Sequence, residues 1–264
     1  MNAGLFDLTG KNALVTGGAQ GLGRMIAEGL LRAGATVAIT SRKADICEAA
    51  ASEMAALGKC IALPADLSTL EGVTALATAF TAREPRLDVL INNAGASWGA
   101  KLGEFPEAGW DKVMDLNVKG PFFLTQALYP QLKAAASKGQ PAKVINIGSI
   151  DGIRLNPWET YSYHASKAAI LYLTKRMAAR LIQDQINVTA IAPGAFASDM
   201  NRAARDHADA VAQNIPNKRI GVAEDMAAAA IFLASNAGNY VVGDTITVDG
   251  GVAHANIGSP SIDA

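Results

Sequence analysis

Hydrophobic and polar positions form two alternating patterns along the chain. Short apolar runs end at glycine or polar residues, which is typical of strands buried on both faces of a parallel sheet. They predict strands at residues 11–16, 36–41, 59–63, 87–91, 142–148, 186–192 and 244–248. Longer segments with apolar residues at helical spacing predict helices at residues 21–34, 43–57, 69–83, 109–136, 160–183 and 223–235. This alternation indicates an α/β fold with a doubly wound parallel sheet of seven strands.

Composition sets the size of the core and excludes several classes of partner. With 264 residues, half of them hydrophobic, the chain can form a single domain over residues 1–264. Its charges are balanced and dispersed, 23 Lys and Arg against 24 Asp and Glu, which argues against a nucleic-acid partner. No run of about 18 apolar residues occurs and no secretion signal precedes the first strand, so we expect no membrane partner and a cytoplasmic location. Cys47, Cys60 and the histidines lack metal-type spacing, which predicts free thiols and no catalytic metal.

A glycine-rich turn joins the first predicted strand to the first predicted helix. Gly17, Gly21 and Gly23 lie within this turn. Glycines at such a position let the backbone approach a diphosphate, and the following helix N-terminus attracts negative charge. The spacing differs from the G-x-G-x-x-G fingerprint, so a phosphate site and a purely structural turn both remain open on this feature alone.

Tyr163 and Lys167 lie four residues apart in a predicted helix, which places both side chains on one face. A nearby ammonium favours the phenolate, so the pKa of a tyrosine, ordinarily about 10, would fall and the phenol could act as a general acid or base. A half-buried tyrosine beside a solvated lysine is the alternative.

Polar or glycine-rich residues also follow three other predicted strands. Asn92–Gly95, Ser149 and Pro193–Gly194 each come after an apolar run. The carboxyl ends of parallel strands meet at one edge of the sheet, where open α/β sheets bind their ligands. These residues therefore predict a ligand crevice together with the glycine-rich turn.

From about Leu8 to Gly251 the chain resembles the short-chain dehydrogenase/reductase family, which has a Rossmann-like fold. The motifs that carry the resemblance are Thr16–Gly23, Asn92–Gly95, Ser149 and the Tyr163/Lys167 pair. Segments around residues 93–100 and 144–149 are most similar to the β-ketoacyl reductase subgroup associated with rhamnolipid synthesis. The resemblance implies four catalytic residues, Asn117, Ser149, Tyr163 and Lys167.

The resemblance also implies a role for each catalytic group around a nicotinamide. Tyr163 would exchange a proton with the substrate oxygen, to which Ser149 would also donate a hydrogen bond. Lys167 would lower the pKa of Tyr163 and bind the nicotinamide ribose. Asn117 would hold a water that links Lys167 to solvent.

Cofactor-binding residues follow from the same resemblance and are spread over five strand ends and the helix that carries Tyr163 and Lys167. They are Gly17, Gln20, Gly21, Leu22, Gly23, Ser41, Arg42, Asp66, Leu67, Asn93, Ala94, Gly95, Tyr163, Lys167, Pro193, Gly194, Phe196 and Ser198. The second predicted strand ends without the carboxylate that would bind an unphosphorylated ribose, and Ser41 and Arg42 there suit a phosphate dianion. NADP(H) is therefore favoured over NAD(H). Gln20 argues against NADP(H), because many NADP-type relatives have a basic residue at this position.

The expected substrate is a small ketone with an acyl or aryl part. The enzyme would reduce it to a secondary alcohol or oxidise the corresponding alcohol. The resemblance implies a partly apolar substrate site formed by Ser149, Ile150, Trp98, Tyr161, Phe196 and Met200, under a lid at about 195–220. Tyr161 as a merely packed aromatic and the lid as an ordinary surface segment are the alternatives. A 3-oxoacyl thioester is one candidate substrate, although Asp184-Gln185 argues against docking of a carrier protein. The other functions that remain open are an NAD-dependent secondary alcohol or sugar dehydrogenase and a non-enzymatic nucleotide-sensing regulator.

Two predicted helices carry more apolar residues than a single inward stripe needs. They are Val113, Phe122, Phe123, Leu124, Leu128 and Leu132 on the first and Leu171, Leu173, Met177 and Leu181 on the second. Exposed apolar patches mark interfaces, and in the resembled family these helices pair across a two-fold axis. We expect a homotetramer completed by Gly243–Gly251, with a dimer as the fallback. The alternative is that these residues only cover the sheet.

Overall fold

A parallel sheet lies at the centre of the computed structural model, which describes residues 3–255. Its strands are β1 Asn12–Thr16, β2 Thr36–Thr40, β3 Cys60–Ala62, β4 Val89–Asn92, β5 Ala142–Ile147, β6 Ile186–Pro193 and β7 Thr245–Val248. Their order across the sheet is β3-β2-β1-β4-β5-β6-β7, and every neighbouring pair is parallel. The order reverses between β1 and β4, which opens a crevice at their carboxyl ends. The predicted fold class is confirmed.

Helices cover both faces of the sheet. They are α1 Gly21–Arg32, α2 Ala44–Met54, α3 Leu70–Thr81, α4 Glu107–Met114, α5 Gly120–Ala127, α6 Tyr129–Ala135, α7 Tyr161–Leu181, α8 Arg202–Asp206, α9 Ala208–Gln213 and α10 Ala223–Ala234. Helices α1, α2 and α10 pack on one face, and α3, α5, α6 and α7 pack on the other. No helix within residues 3–255 is long and apolar enough to cross a membrane.

The prediction of one continuous helix over residues 109–136 was wrong. A π-helical turn, Asp115–Lys119, separates α4 from α5, and the N–H of Gly120 donates to the carbonyl of Asp115 across it. A second break precedes α6, where Pro130 has no N–H to continue the helical hydrogen bonds. The π turn carries Asn117, whose side chain is buried. Local irregularity thus falls at a residue predicted to be functional.

Alternation along each central strand explains the continuous apolar runs of the sequence. Val15, Ile91 and Ile145 face the helices of the first layer, whereas Leu14 and Leu90 face those of the second. Since helices cover both faces of these strands, apolar residues predominate within them.

The segment predicted as a lid contains α8 and α9. Phe196 lies at its start, is 3% exposed, and pairs with Gly221 in an isolated parallel bridge. A side chain at Gly221 would have its Cβ 2.3 Å from the Phe196 ring, so glycine is required for this packing. Closure of the segment over a substrate stays a prediction. Cys47 and Cys60 are both free thiols.

Candidate active site

Reciprocal hydrogen bonds join the ends of β1 and β4. The Thr16 hydroxyl oxygen accepts the N–H groups of Asn93, at 2.8 Å, and Ala94, at 2.9 Å. The Asn93 side-chain amide donates back to the carbonyl of Thr16, also at 2.8 Å. These reciprocal bonds hold the two sides of the crevice at a fixed separation, with Gly95 following directly in the chain.

The glycine-rich turn fits a diphosphate. Gly17 and Gly21 have φ values of +63° and +53°, a left-handed backbone that favours glycine. A Cβ at Gly23 would lie 2.2 Å from the carbonyl oxygen of Gly17, so α1 can begin beneath the turn only without a side chain there. The first N–H groups of α1 then point towards the crevice. Leu22 lines the crevice, and Ser198 lies against Gly21.

Charged and polar groups follow the ends of β1, β2 and β3. Arg42 is exposed and forms no ion pair with residues 3–255. Burial opposes ionisation of Asp66, but the Ser68 N–H and hydroxyl, at 3.0 and 2.8 Å, and the charge of Arg42 together lower the pKa of this carboxyl. Leu67 is buried in the core, so its backbone alone is available to a ligand. Gln20 is exposed immediately before α1.

The catalytic candidates meet between β5 and α7. Ser149 follows β5 and is 7% exposed. Lys167 is 6% exposed; its ammonium donates to the carbonyl of Ile147 at 2.9 Å and lies 5.4 Å from the Tyr163 ring centroid. A Cβ at Gly152 would be 2.6 Å from the Lys167 carbonyl, so the turn after Ser149 packs closely on α7. The structure thus brings the three predicted residues together.

Asn117 ties this group to the crevice through its side chain. Its Oδ1 accepts the N–H of Ala96 at 2.8 Å, and its Nδ2 donates to the Ala96 carbonyl at 2.9 Å and to the Ser166 hydroxyl at 3.0 Å. The side chain therefore fixes the segment after β4 to α7. The water expected at Asn117 stays a prediction.

Burial sets the protonation of the central pair. It raises the pKa of Tyr163 to about 12, against the effect of the Ser149 hydroxyl and with a contribution from the charge of Asp151. Burial also lowers the pKa of Lys167 to about 8, although Asp151 opposes this change. The net fall in the pKa of Tyr163 expected from the sequence is not found, because burial of the phenol is the largest effect on that pKa; the effect of Lys167 on it stays a prediction. At neutral pH Tyr163 is a neutral phenol that can donate its proton.

A cleft of about 420 Å³ opens beside these groups. Nine of the predicted cofactor and substrate residues line it, namely Leu22, Ser149, Ile150, Tyr163, Pro193, Gly194, Phe196, Ser198 and Met200. Sequence reasoning missed six further polar or aromatic lining residues, namely Asp151, Asn156, Trp158, Thr160, Asn201 and Arg202. Their nearness to Ser149 and to the predicted lid was the available signal, and which of them face inward depends on the loop conformation.

Trp98 and Tyr161 lie outside this cleft, contrary to the sequence prediction. The Trp98 ring packs on Gly109, whose Cβ position is 2.8 Å from it, and the ammonium of Lys112 is 5.2 Å from the ring centroid. The Tyr161 hydroxyl donates to Glu159 at 2.9 Å, and its ring meets Phe105 edge-on. Both aromatics are therefore engaged with α4 and the loop before it.

Comparison with known proteins identifies the class to which this fold and site belong. A family model described as Enoyl-(Acyl carrier protein) reductase matches residues 17–253. The chain belongs to the short-chain dehydrogenase/reductase family of oxidoreductases, which confirms the resemblance found in the sequence.

Particular relatives fall into two groups. The chain is 48% identical over 249 residues to the rhamnolipids biosynthesis 3-oxoacyl-[acyl-carrier-protein] reductase of Pseudomonas aeruginosa, covering 93% of this chain and 97% of the relative. It is 38% identical over 257 residues to the 2-dehydro-3-deoxy-D-gluconate 5-dehydrogenase of Dickeya dadantii, covering 93% and 96%. The P. aeruginosa RhlG/NADP active-site complex superposes with a TM-score of 0.92 at 47% identity, covering 95% of this chain and 99% of that chain. A Burkholderia cenocepacia gluconate 5-dehydrogenase in complex with NADP and tartrate gives 0.87 at 33% identity, covering 96% and 98%.

Proposed function

We propose that this chain is an NADP(H)-dependent carbonyl reductase that converts a ketone to a secondary alcohol, or catalyses the reverse reaction. The observation that carries the proposal is the neutral phenol of Tyr163 beside Ser149 and Lys167, in a cleft next to a glycine turn that fits a diphosphate. When bound, the nicotinamide supplies or accepts the hydride.

The residues of the cleft would handle the proton and the developing charge. The Ser149 hydroxyl donates a hydrogen bond to the substrate oxygen, and Tyr163 transfers its proton to that oxygen during reduction. The Lys167 ammonium then stabilises the phenolate that remains on Tyr163. Asn117 keeps α7 aligned with the segment after β4 through the bonds to Ala96 and Ser166.

The preference for NADP(H) is supported by the end of β2. Arg42 is exposed there without an ion-pair partner among the described residues, and its guanidinium with the Ser41 hydroxyl suits a 2′-phosphate. The glycine turn would hold the diphosphate, and Tyr163 and Lys167 would meet the ribose. Two solved relatives are complexes with NADP. NAD(H) is the alternative, and a cytoplasmic location stays a prediction.

The substrate proposal is a ketone with an apolar part. Ile150, Trp158, Phe196 and Met200 give the cleft apolar walls around the reacting groups. The P. aeruginosa relative is named as a 3-oxoacyl reductase, which fits such walls, whereas the D. dadantii relative is named for a sugar acid. A 3-oxoacyl group is therefore the first candidate and a sugar-derived ketone the second.

Exchange of Tyr163 for phenylalanine tests the proposal. Tyr163→Phe should retain binding of NADP(H) yet lose about 10²- to 10⁴-fold in turnover, which is the contribution of a positioned general acid. Tyr161→Phe is the matched control and should keep its rate, because that hydroxyl is bound to Glu159 outside the cleft. The measurement is the change in nicotinamide absorbance with acyl esters and thioesters, aryl ketones and sugar-derived ketones. Cofactor binding without turnover of any of them by the wild type would contradict the function.

We also propose that the chain assembles as a homotetramer, with a dimer as the fallback. A groove of about 480 Å³ lies between α5 and α7 and has apolar walls formed by Phe122, Tyr129, Leu173, Met177 and Leu181. Four of the residues expected to be surplus, Val113, Leu124, Leu128 and Leu132, are instead fully buried in the chain's own core. The proposed interface is thus narrower than the sequence indicated.

A charge placed in this groove tests the assembly. Phe122 is 38% exposed, whereas Phe123 packs partly on the core, so Phe122→Glu should dissociate the oligomer with little loss of folding. Leu102→Glu is the control, because Leu102 is 73% exposed in another part of the molecule. Light scattering behind a sizing column gives the mass. A wild-type mass near the 27.3 kDa of one chain would contradict the proposal.

A further inference from the structure

Asp151 has a fixed position two residues beyond Ser149. It lies in a short 3₁₀ turn, Ile150–Gly152, and its N–H donates to the Ser149 hydroxyl oxygen at 3.1 Å. The same turn packs on α7 at Gly152, where a Cβ would lie 2.6 Å from the Lys167 carbonyl. The backbone of Asp151 is therefore held between the reacting groups and α7.

Asp151 is one of the residues that line two adjoining cavities. Asp151 lines the cleft of about 420 Å³ that contains Ser149 and Tyr163, and it also lines an adjoining cavity of about 790 Å³. The adjoining cavity runs between the 150–158 loop and α9, and Arg154 and Lys218 are among its walls. A substrate that occupied both cavities would pass the Asp151 carboxylate beside its reacting carbonyl.

The carboxylate of Asp151 has no partner within residues 3–255. Its oxygens accept no hydrogen bond there and form no ion pair, although the residue is only partly exposed. By contrast, the nearby carboxylate of Glu159 accepts the hydroxyl of Tyr161. A carboxylate that lines a cleft without a protein partner is available to accept a hydrogen bond from a donor on a ligand.

The charge of Asp151 also reaches the reacting groups. It contributes to raising the pKa of both Tyr163 and Lys167, although burial is the larger effect on each. A second negative charge beside the reacting carbonyl would be repelled by it.

We propose that Asp151 is a specificity-determining residue of the cleft. Its carboxylate accepts a hydrogen bond from a hydroxyl or amino group that the substrate carries close to its carbonyl, and it repels a substrate with a carboxylate at that place. The preferred substrates are thus ketones that are neutral or donor-bearing beside the reacting carbon, including esters and thioesters of 3-oxo acids, whereas the free 3-oxo acids are rejected. This inference rests on the proposed carbonyl-reductase function.

Asp151→Asn tests the inference, because it keeps the shape of the side chain and the backbone bond to Ser149 while removing the charge. The probes are two matched pairs: acetoacetate against its ethyl ester, and 4-hydroxy-2-butanone against 2-pentanone. The wild type should reduce the ester and the hydroxyketone with the higher kcat/KM of each pair. In Asp151→Asn the preference for the ester should fall by about 10- to 100-fold, the range expected for one interaction with a charged group.

Glu159→Gln is the control for removal of a carboxylate near the site and should leave both preferences unchanged, since Glu159 lies outside the cleft. Preferences in Asp151→Asn that match those of the wild type would overturn the inference. If the wild type reduces none of the probes, the proposed function fails separately, and calorimetric binding of the same pairs in the presence of NADP⁺ then decides about Asp151. Equal affinities for acetoacetate and its ester in the wild type, or no binding of any probe, would overturn the inference.

Discussion

Two buried lysines occupy opposite ends of the sheet. Lys143 is the second residue of β5, at the amino end, and is 3% exposed; Lys167 is 6% exposed and lies on α7 beyond the carboxyl end of the same strand. Burial lowers the pKa of each to about 8. Their surroundings differ: Lys167 donates to Ile147 and is near Asp151 and Tyr163, whereas Lys143 has no hydrogen-bond partner in residues 3–255 and is further destabilised as a cation by Lys11.

This difference shows that a shifted pKa alone does not mark a functional site. Both lysines show the same shift for the same physical reason. Only Lys167 has a phenol beside it, a cleft next to it and a carbonyl that fixes its ammonium. The neighbours and the edge of the sheet, rather than the shift itself, support the functional assignment.

The largest expected difference between the two lysines is in turnover. Lys167→Met should lower kcat at least about 100-fold, because the phenolate of Tyr163 loses its stabilising charge and the cofactor loses a contact. Lys143→Met should leave kcat unchanged. Steady-state reduction of one ketone by both variants makes the comparison. A similar loss in Lys143→Met would mean that the amino end of the sheet also influences the reaction.

The next effect is on stability, which Lys143→Met should increase. The pKa of Lys143 falls from 10.5 to about 8 on folding, so keeping its proton costs the folded state about 3 kcal/mol below pH 8, and Lys143→Met should raise the free energy of unfolding at pH 7 by up to this amount. Between pH 8 and 10.5 the unfolded state binds the proton more strongly, so the wild type gains stability with rising pH. Urea unfolding of the wild type and of Lys143→Met at pH 7 and pH 10 measures the difference in their free energies of unfolding. All other titrating groups are the same in the two proteins, so their contributions cancel. A difference that does not change with pH would show that Lys143 is charged and solvated.

The smallest effect is on cofactor affinity and concerns one exposed arginine at each end of the sheet. Arg42→Ala at the carboxyl end should weaken NADP(H) binding by about 1.5–3 kcal/mol, or roughly ten- to a hundredfold, with little change for NAD(H). Arg86→Ala at the amino end is the matched control; Arg86 is paired with Asp88 at 3.1 Å and should not affect either cofactor. Fluorescence titration with each cofactor gives the affinities. Equal weakening of NADP(H) and NAD(H) by Arg42→Ala would favour NAD(H) and a structural role for Arg42.

The strands could be predicted from the sequence to within about two residues, because burial on both faces leaves a largely apolar run that ends where the crevice begins. The same reasoning located Ser149 and the Tyr163/Lys167 pair, since their positions follow from strand ends and helical spacing. Sequence could not give the π turn at Asn117, which depends on contacts with Ala96 and Ser166 that arise only in the folded chain.

The sequence also could not predict the directions of side chains or how deeply they are buried. Trp98 follows the Asn92–Gly95 motif, but its ring turns away from the cleft because Gly109 offers a flat surface on α4. The pKa of Tyr163 moved opposite to the expectation because enclosure of the phenol is a tertiary property. Asp151 carried no local signal that its oxygens would lack partners among the described residues.

The hydrogen bonds between Thr16 and Asn93 have a consequence for folding during synthesis. The two residues are 77 positions apart, so the glycine turn leaves the ribosome well before the strand end that secures it. At a synthesis rate of about 5–20 residues per second, the turn waits roughly 4–15 s for Asn93. During that interval β1 can pair with β2, which is made soon after it, but the diphosphate site at the glycine-rich turn is still incomplete. Cofactor therefore cannot assist the earliest folding of the nascent chain and can stabilise it only after β4 has joined the sheet.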